Sequence, residues 1–175
     1  MKQFLFSALA IMAFATTAKA QQQVKLNVIL KPIQTLTIKE DQKDVNLEYA
    51  TTADYQNGVS KMNDNHLTIY STGGFQVKVM ANNANMEFHG KNMAVSTIKL
   101  TSSAGSQPLT NATYKQDLPL SASETTLVSS PNGAVNKSVN VKYQGEGADA
   151  YIDNYVPNQN PSTYKATLVY SIVSA

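Results

Sequence analysis

His66 and His89 are the only histidines in the chain, and so the only side chains that ordinarily titrate near neutral pH. Either could be drawn into a hydrolase triad with one of the many serines and an aspartate. No motif places a base beside a nucleophile, however, and both cysteine and a Gly-x-Ser-x-Gly elbow are absent. Both histidines are therefore expected at the surface or at strand ends, and no catalytic residue is expected. Glu146, Asp149, Asp153 and Asn154 cluster in a glycine-containing stretch and offer oxygen ligands of the kind Ca²⁺ takes. Their spacing lacks the alternating acidic positions of a calcium loop, and the two histidines share no ligand spacing. A solvated acidic loop is expected, with no metal and no cofactor. Tyr143, Tyr151 and Tyr155 could offer rings to a sugar, although strand tyrosines are more often half-buried in a core. Asn111-Ala112-Thr113 and Asn136-Lys137-Ser138 fit the glycosylation pattern, which is too short to carry an argument.

The elements that must position these groups follow a leader. Lys2 precedes an apolar run from Phe4 to Ala15 broken only by Ser7, and Ala18-Lys19-Ala20 has the small-x-small form of a cleavage site. Residues 1–20 are expected to be a cleaved secretory signal, with the mature chain beginning at Gln21. The run is too short to span a bilayer, which takes about 20 apolar residues, so no membrane insertion is expected. Lys2 and Lys19 fall within this segment, leaving twelve lysines against twelve carboxylates. There is no arginine. Without a basic excess or a bidentate phosphate ligand, nucleic acid is not an expected partner. Disulfides are permitted outside the cytoplasm, but this chain has none to form, so sheet burial or another chain must supply its stability.

After residue 20 the dominant period is two, the mark of strands. Val24, Leu26, Val28 and Leu30 alternate with polar residues until Pro32, interrupted by Ile29. Leu36 and Ile38 follow, then Val45, Leu47 and Tyr49. Leu67 and Ile69 lead through Gly73-Gly74 to Phe75, Val77 and Val79, which reads as a hairpin or a bulged pair. Val139, Val141 and Tyr143 form another strand, and weaker ones are expected over 94–100 and 125–129. The clearest is the last, where Tyr164, Ala166, Leu168, Tyr170 and Ile172 share one face. Turn-rich stretches separate them at Gln56-Asn57-Gly58, Ser102 to Pro108, Pro131-Asn132-Gly133 and Pro157 to Pro161. No segment keeps a helical stripe over three turns. The expected fold is all-β, an immunoglobulin-like β-sandwich in one domain.

An alternating strand set off by a proline has the form of a detachable strand, able to enter a neighbour's incomplete core by donor-strand complementation. On spacing alone it reads equally well as the first strand of its own sandwich.

The stretch Val24-Lys-Leu-Asn-Val-Ile-Leu-Lys-Pro32-Ile-Gln-Thr-Leu36 resembles the N-terminal extension of chaperone–usher pilins of the colonisation-factor (alpha) type. Ser162-Thr163-Tyr164 and the alternating residues to Val173 are similar to the closing pilin strand, and that type also lacks the disulfide of many other pilins. The resemblance implies a sandwich missing its last strand, with residues 21–33 as donor extension and 34–175 as the domain. Val24, Leu26, Val28 and Leu30 would be the donor residues and Pro32 the hinge. Tyr164, Ala166, Leu168, Tyr170 and Ile172 would lie on a strand flanking the acceptor groove. It further implies identical subunits joined head to tail, a periplasmic chaperone and outer-membrane usher as assembly partners, and an extracellular pilus on a Gram-negative cell. The alternative is a secreted ligand-binding β-sandwich, such as a carbohydrate-binding or surface-layer module.

Overall fold

The computed structural model describes residues 21–175. The expected signal, residues 1–20, lies outside the described residues. The fold is all-β, built from antiparallel sheets with little helix. In chain order the strands are β1 (Gln34–Ile38), β2 (Ser60–Ser71), β3 (Phe75–Ala81), β4 (Asn85–Phe88), β5 (Lys91–Ala94) and β6 (Lys99–Ala104). They continue with β7 (Thr113–Tyr114), β8 (Leu118–Pro119), β9 (Thr125–Ser130), β10 (Ala134–Gln144) and β11 (Leu168–Ser174). The first sheet has the order β1-β2-β10-β6-β8, the second β11-β3-β9-β7, and β4 and β5 form a separate ribbon.

Alternation sends one face of each main strand into a single core. Phe75, Val77, Val79 and Ala81 of β3 are buried with Leu67 and Ile69 of β2, Leu127 and Val128 of β9, and Val139, Val141 and Tyr143 of β10. Burial of this kind stabilises by about 1.5–3 kcal/mol per large apolar side chain.

Several local expectations are corrected. Gly73-Gly74 does not close a hairpin, because β2 pairs with β1 and β10 while β3 pairs with β11 and β9. The two glycines carry the chain from one sheet to the other. A side chain on Gly74 would sit 2.9 Å from the Pro131 carbonyl oxygen, so only glycine lets this crossing pass the β9–β10 turn. Residues 94–100 are not one strand: a 3-10 turn at Val95–Thr97 separates β5 from β6, burying Val95. Val45, Leu47 and Tyr49 do alternate in burial, but their backbone joins no ladder. The last strand begins at Leu168, not Tyr164, because Thr167 turns its amide to the Asn82 side chain instead of a paired backbone. Ser102 lies inside β6 and is fully buried, not in a turn.

The short helix α1 (Thr52–Asn57) has no apolar stripe and is held by its ends. Thr51 Oγ1 accepts from the Asp54 amide, and the Asp54 carboxylate accepts from the amides of Thr51 and Ala50. The Thr51 hydroxyl also donates to that carboxylate at 2.8 Å, and this bond, followed by the two from the amides, holds the Asp54 carboxyl below its ordinary pKa.

The compact domain spans Lys31–Ala175. Its first residues are already tied down, with the Thr72 amide donating to the Ile33 carbonyl at 3.0 Å. Residues 21–30 form no regular secondary structure, and Val24, Leu26, Val28 and Leu30 are 93, 85, 76 and 87 % exposed. No helix among the described residues is long and apolar enough to cross a membrane.

Candidate functional site

The two sheets meet along two sides, and the chain treats those sides differently. On one side, residues 113–119 pass from sheet to sheet, giving β7 to the second and β8 to the first. Between them the Lys115 amide donates to the Leu127 carbonyl of β9 at 3.0 Å, and the Lys115 carbonyl accepts from the Ser102 amide of β6 at 2.8 Å. The buried Ser102 hydroxyl donates to the Leu127 carbonyl at 2.9 Å. This side is closed by backbone.

On the other side lie β1 and β11, each at the end of its sheet. Their Cα atoms come within 8 Å of one another, yet no ladder joins them among the described residues. The registers fix how they face each other. Gln34 pairs with Ser71 and Ile38 with Leu67, while Ser174 pairs with Phe75 and Leu168 with Ala81. Gly73-Gly74 joins Ser71 to Phe75, so the start of β1 lies near the end of β11 and the two strands run in opposite directions. Leu36, Ile38, Leu168, Tyr170 and Ile172 all pack against the core and all stay half-buried. On β3, the neighbour of β11, the equivalent face is buried throughout. The two unpaired edges with half-covered apolar residues between them form a cleft, our candidate site. Its unsatisfied backbone makes it a template for a further strand.

Of the residues expected on the acceptor strand, Leu168, Tyr170 and Ile172 line β11. Tyr164 packs on the core ahead of it, with its hydroxyl donating to the Asn154 carbonyl at 2.7 Å, and Ala166 is exposed. The opposite wall, Leu36 and Ile38, was visible in the sequence only as one more alternating strand. Nothing in spacing says that β1 ends a sheet.

A buried hydrogen-bond chain ties β11 to the first sheet. Tyr170 and Tyr143 share a hydroxyl contact of 2.6 Å, and the Tyr143 hydroxyl meets His66 Nε2 at 2.8 Å. Gln42 donates through its amide nitrogen to the Asp64 carbonyl, which turns its carbonyl oxygen to His66 Nδ1 at 3.1 Å. The order of donors follows: His66 Nδ1 donates to Gln42, Nε2 accepts from Tyr143, and Tyr143 accepts from Tyr170. His66 is 2 % exposed, so it is a core residue and not the surface or strand-end histidine expected from sequence. Burial lowers its pKa to about 4 and raises that of Tyr143 to about 12. The Tyr170 hydroxyl is also raised well above its ordinary pKa, by burial and by the neighbouring Tyr143. His89 is exposed in the β4–β5 turn, edge-on to Phe88 with ring centroids 4.6 Å apart.

The other candidates come apart. Tyr143 is committed to His66 and Tyr170, whereas Tyr151 packs edge-on against Tyr49 with centroids 5.1 Å apart; Tyr155 is exposed. The three do not make one platform. Burial and the neighbouring Tyr151 raise the Tyr49 pKa to about 12. Glu146, Asp149 and Asp153 are exposed, and no group of three potential metal ligands occurs among the described residues. Backbone explains that loop: the Ala148 and Asp149 amides bond the carbonyls of Gln56 and Tyr55, capping the end of α1.

Neither a protein-family model nor a curated protein matches this chain.

Proposed function

We propose that the protein is a structural subunit of an extracellular pilus, an immunoglobulin-like sandwich lacking one strand and completed by residues 21–31 of a neighbouring copy. One observation carries this reading. The domain leaves an apolar cleft between two unpaired edges, and the same chain carries an exposed, alternating apolar segment of matching length. Val24 to Leu30 and β11 are each seven residues, about 23 Å at roughly 3.3 Å per residue. Seated along β11, the segment pairs with that edge while Val24, Leu26, Val28 and Leu30 cover the half-buried face; pairing with β1 as well requires the two edges, now within 8 Å, to part to about 9.5 Å, two strand spacings. Because donor and cleft lie on one molecule and serve different neighbours, the contact does not close, and the product is a filament. Export with loss of residues 1–20 precedes assembly, and an assembly chaperone covers the cleft until an outer-membrane usher exchanges it for a donor strand.

The ligand-binding alternative gains no specific support, because two of the three rings it would use are buried in separate clusters.

Leu26→Asp and Val28→Asp test the proposal. Each removes about 1.5–3 kcal/mol of apolar burial and places an unpaired charge in the neighbour's core. Secreted variant protein should fold with the parent's far-ultraviolet spectrum but yield no filaments by electron microscopy. Filaments of normal length from both variants would refute the donor role.

A further inference from the structure

The chain holds two Asn-Gly pairs, Asn57-Gly58 and Asn132-Gly133. This dipeptide undergoes a spontaneous modification. The glycine amide nitrogen adds to the asparagine Cγ, the Cγ–N bond breaks, and ammonia departs with the proton of that nitrogen. Water then opens the resulting five-membered imide at either carbonyl, leaving aspartate or isoaspartate. Glycine permits the reaction because no Cβ blocks the approach. The reaction also needs a glycine N–H free of other bonds and a backbone able to bring that nitrogen onto Cγ.

The fold treats the two pairs differently. Asn57 ends α1, and the Gly58 amide donates to the Asp54 carbonyl at 2.9 Å. Gly58 has φ of 79°, and its backbone is wedged against Gly145 and Gly147. An added Cβ would lie 2.6 Å from the Gly145 oxygen. The attacking nitrogen is occupied.

Asn132-Gly133 lies in the exposed turn between β9 and β10. The turn is anchored through Asn132, whose amide donates to Ser130 Oγ at 3.2 Å and whose carbonyl accepts from that hydroxyl at 3.0 Å. The Gly133 amide has no hydrogen-bond partner among the described residues. The Gly133 Cα does rest against the Ser71 carbonyl, which a Cβ would approach to 2.7 Å. Both glycines are wedged alike, so the free amide at Gly133 is what separates the two pairs.

We propose that Asn132 is a site of spontaneous deamidation in the folded protein, and that the fold protects Asn57. Conversion adds one negative charge. In its isoaspartyl form it also adds a backbone atom to a turn packed against the Gly73-Gly74 crossing. The inference is independent of filament assembly.

Purified mature protein held at mildly alkaline pH and 37 °C, followed by peptide mapping with mass spectrometry and isoaspartyl methyltransferase labelling, reads both sites in one sample. In the native fold Asn132 should convert at least about fivefold faster than Asn57, and the two rates should converge in concentrated urea, where local protection is gone. Equal rates in the native fold, or faster conversion of Asn57, would overturn the proposal.

Discussion

The two sides of the core solve one problem in opposite ways. Where β6 and β9 approach, residues 113–119 cross between the sheets and Lys115 bonds to both. Where β1 and β11 approach, no ladder joins them among the described residues, and the apolar faces stay half-covered. Composition does not separate them, since both sides carry alternating apolar strands. The difference is whether local chain is spent on closure. Closure from within yields a finished edge, whereas the unclosed side keeps unpaired strand edges and half-covered apolar side chains.

The largest contrast should come from paired truncations. Leu127 is fully buried beside the closed side, so Leu127→Ala should cost about 2–5 kcal/mol. Ile172 is half-buried on β11, and Ile172→Ala in the unassembled protein should cost about half as much. Chemical denaturation of each variant measures this difference, and equal losses would mean that the β11 face is as finished as the rest of the core.

Acid should act through the chain that holds β11. The folded pKa of His66, about 4, lies below its ordinary 6.5, so the unfolded chain takes up the proton first. Its contribution is complete above pH 6.5 and is lost as pH falls to 4, by about 3 kcal/mol in all. The groups facing the ring are Gln42, Asn63, Tyr143 and Tyr170, none of them charged. Unfolding curves across this window should show the slope in the parent, and a fold-competent His66→Gln should flatten it.

The smallest effect belongs to Ser102→Ala. The Lys115 amide still reaches the Leu127 carbonyl, and the Ser102 amide still reaches the Lys115 carbonyl, so no backbone group is orphaned. A loss of about 0.5–1.5 kcal/mol in the same denaturation measurement is expected.

Alternation made β3, much of β11 and parts of β2 and β10 legible in the sequence, because a strand with one buried face must repeat every two residues. Partner choice was not legible. Gly73-Gly74 reads as a hairpin turn, and only the pairing of β3 with β11 and β9 shows it to be a crossing between sheets. Two-residue strands such as β7 and β8 are too short to show any period, so the closing segment was invisible. Helix α1 left one trace, Thr51 three residues before Asp54, a capping pattern without the apolar stripe that usually accompanies it. For the site, the alternation of residues 24–30 and of 168–172 was plain. The wall at Leu36 and Ile38 was not, nor was the role of His66, because both depend on which strands lie at the sheet ends.

Residues 21–31 are proposed to enter between β1 and β11, parting edges that now approach within 8 Å. β11 ends beside the start of β1, so a copy of residues 21–31 attached after Ala175 through a short turn, and deleted from its original place, would run back antiparallel to β11 inside the same molecule. Hydrogen exchange on this rearranged chain tests the claim most directly. A soluble monomer is expected in which amides of both β1 and β11 gain protection relative to the parent domain. Unchanged exchange at both edges, or loss of protection across the core, would contradict it.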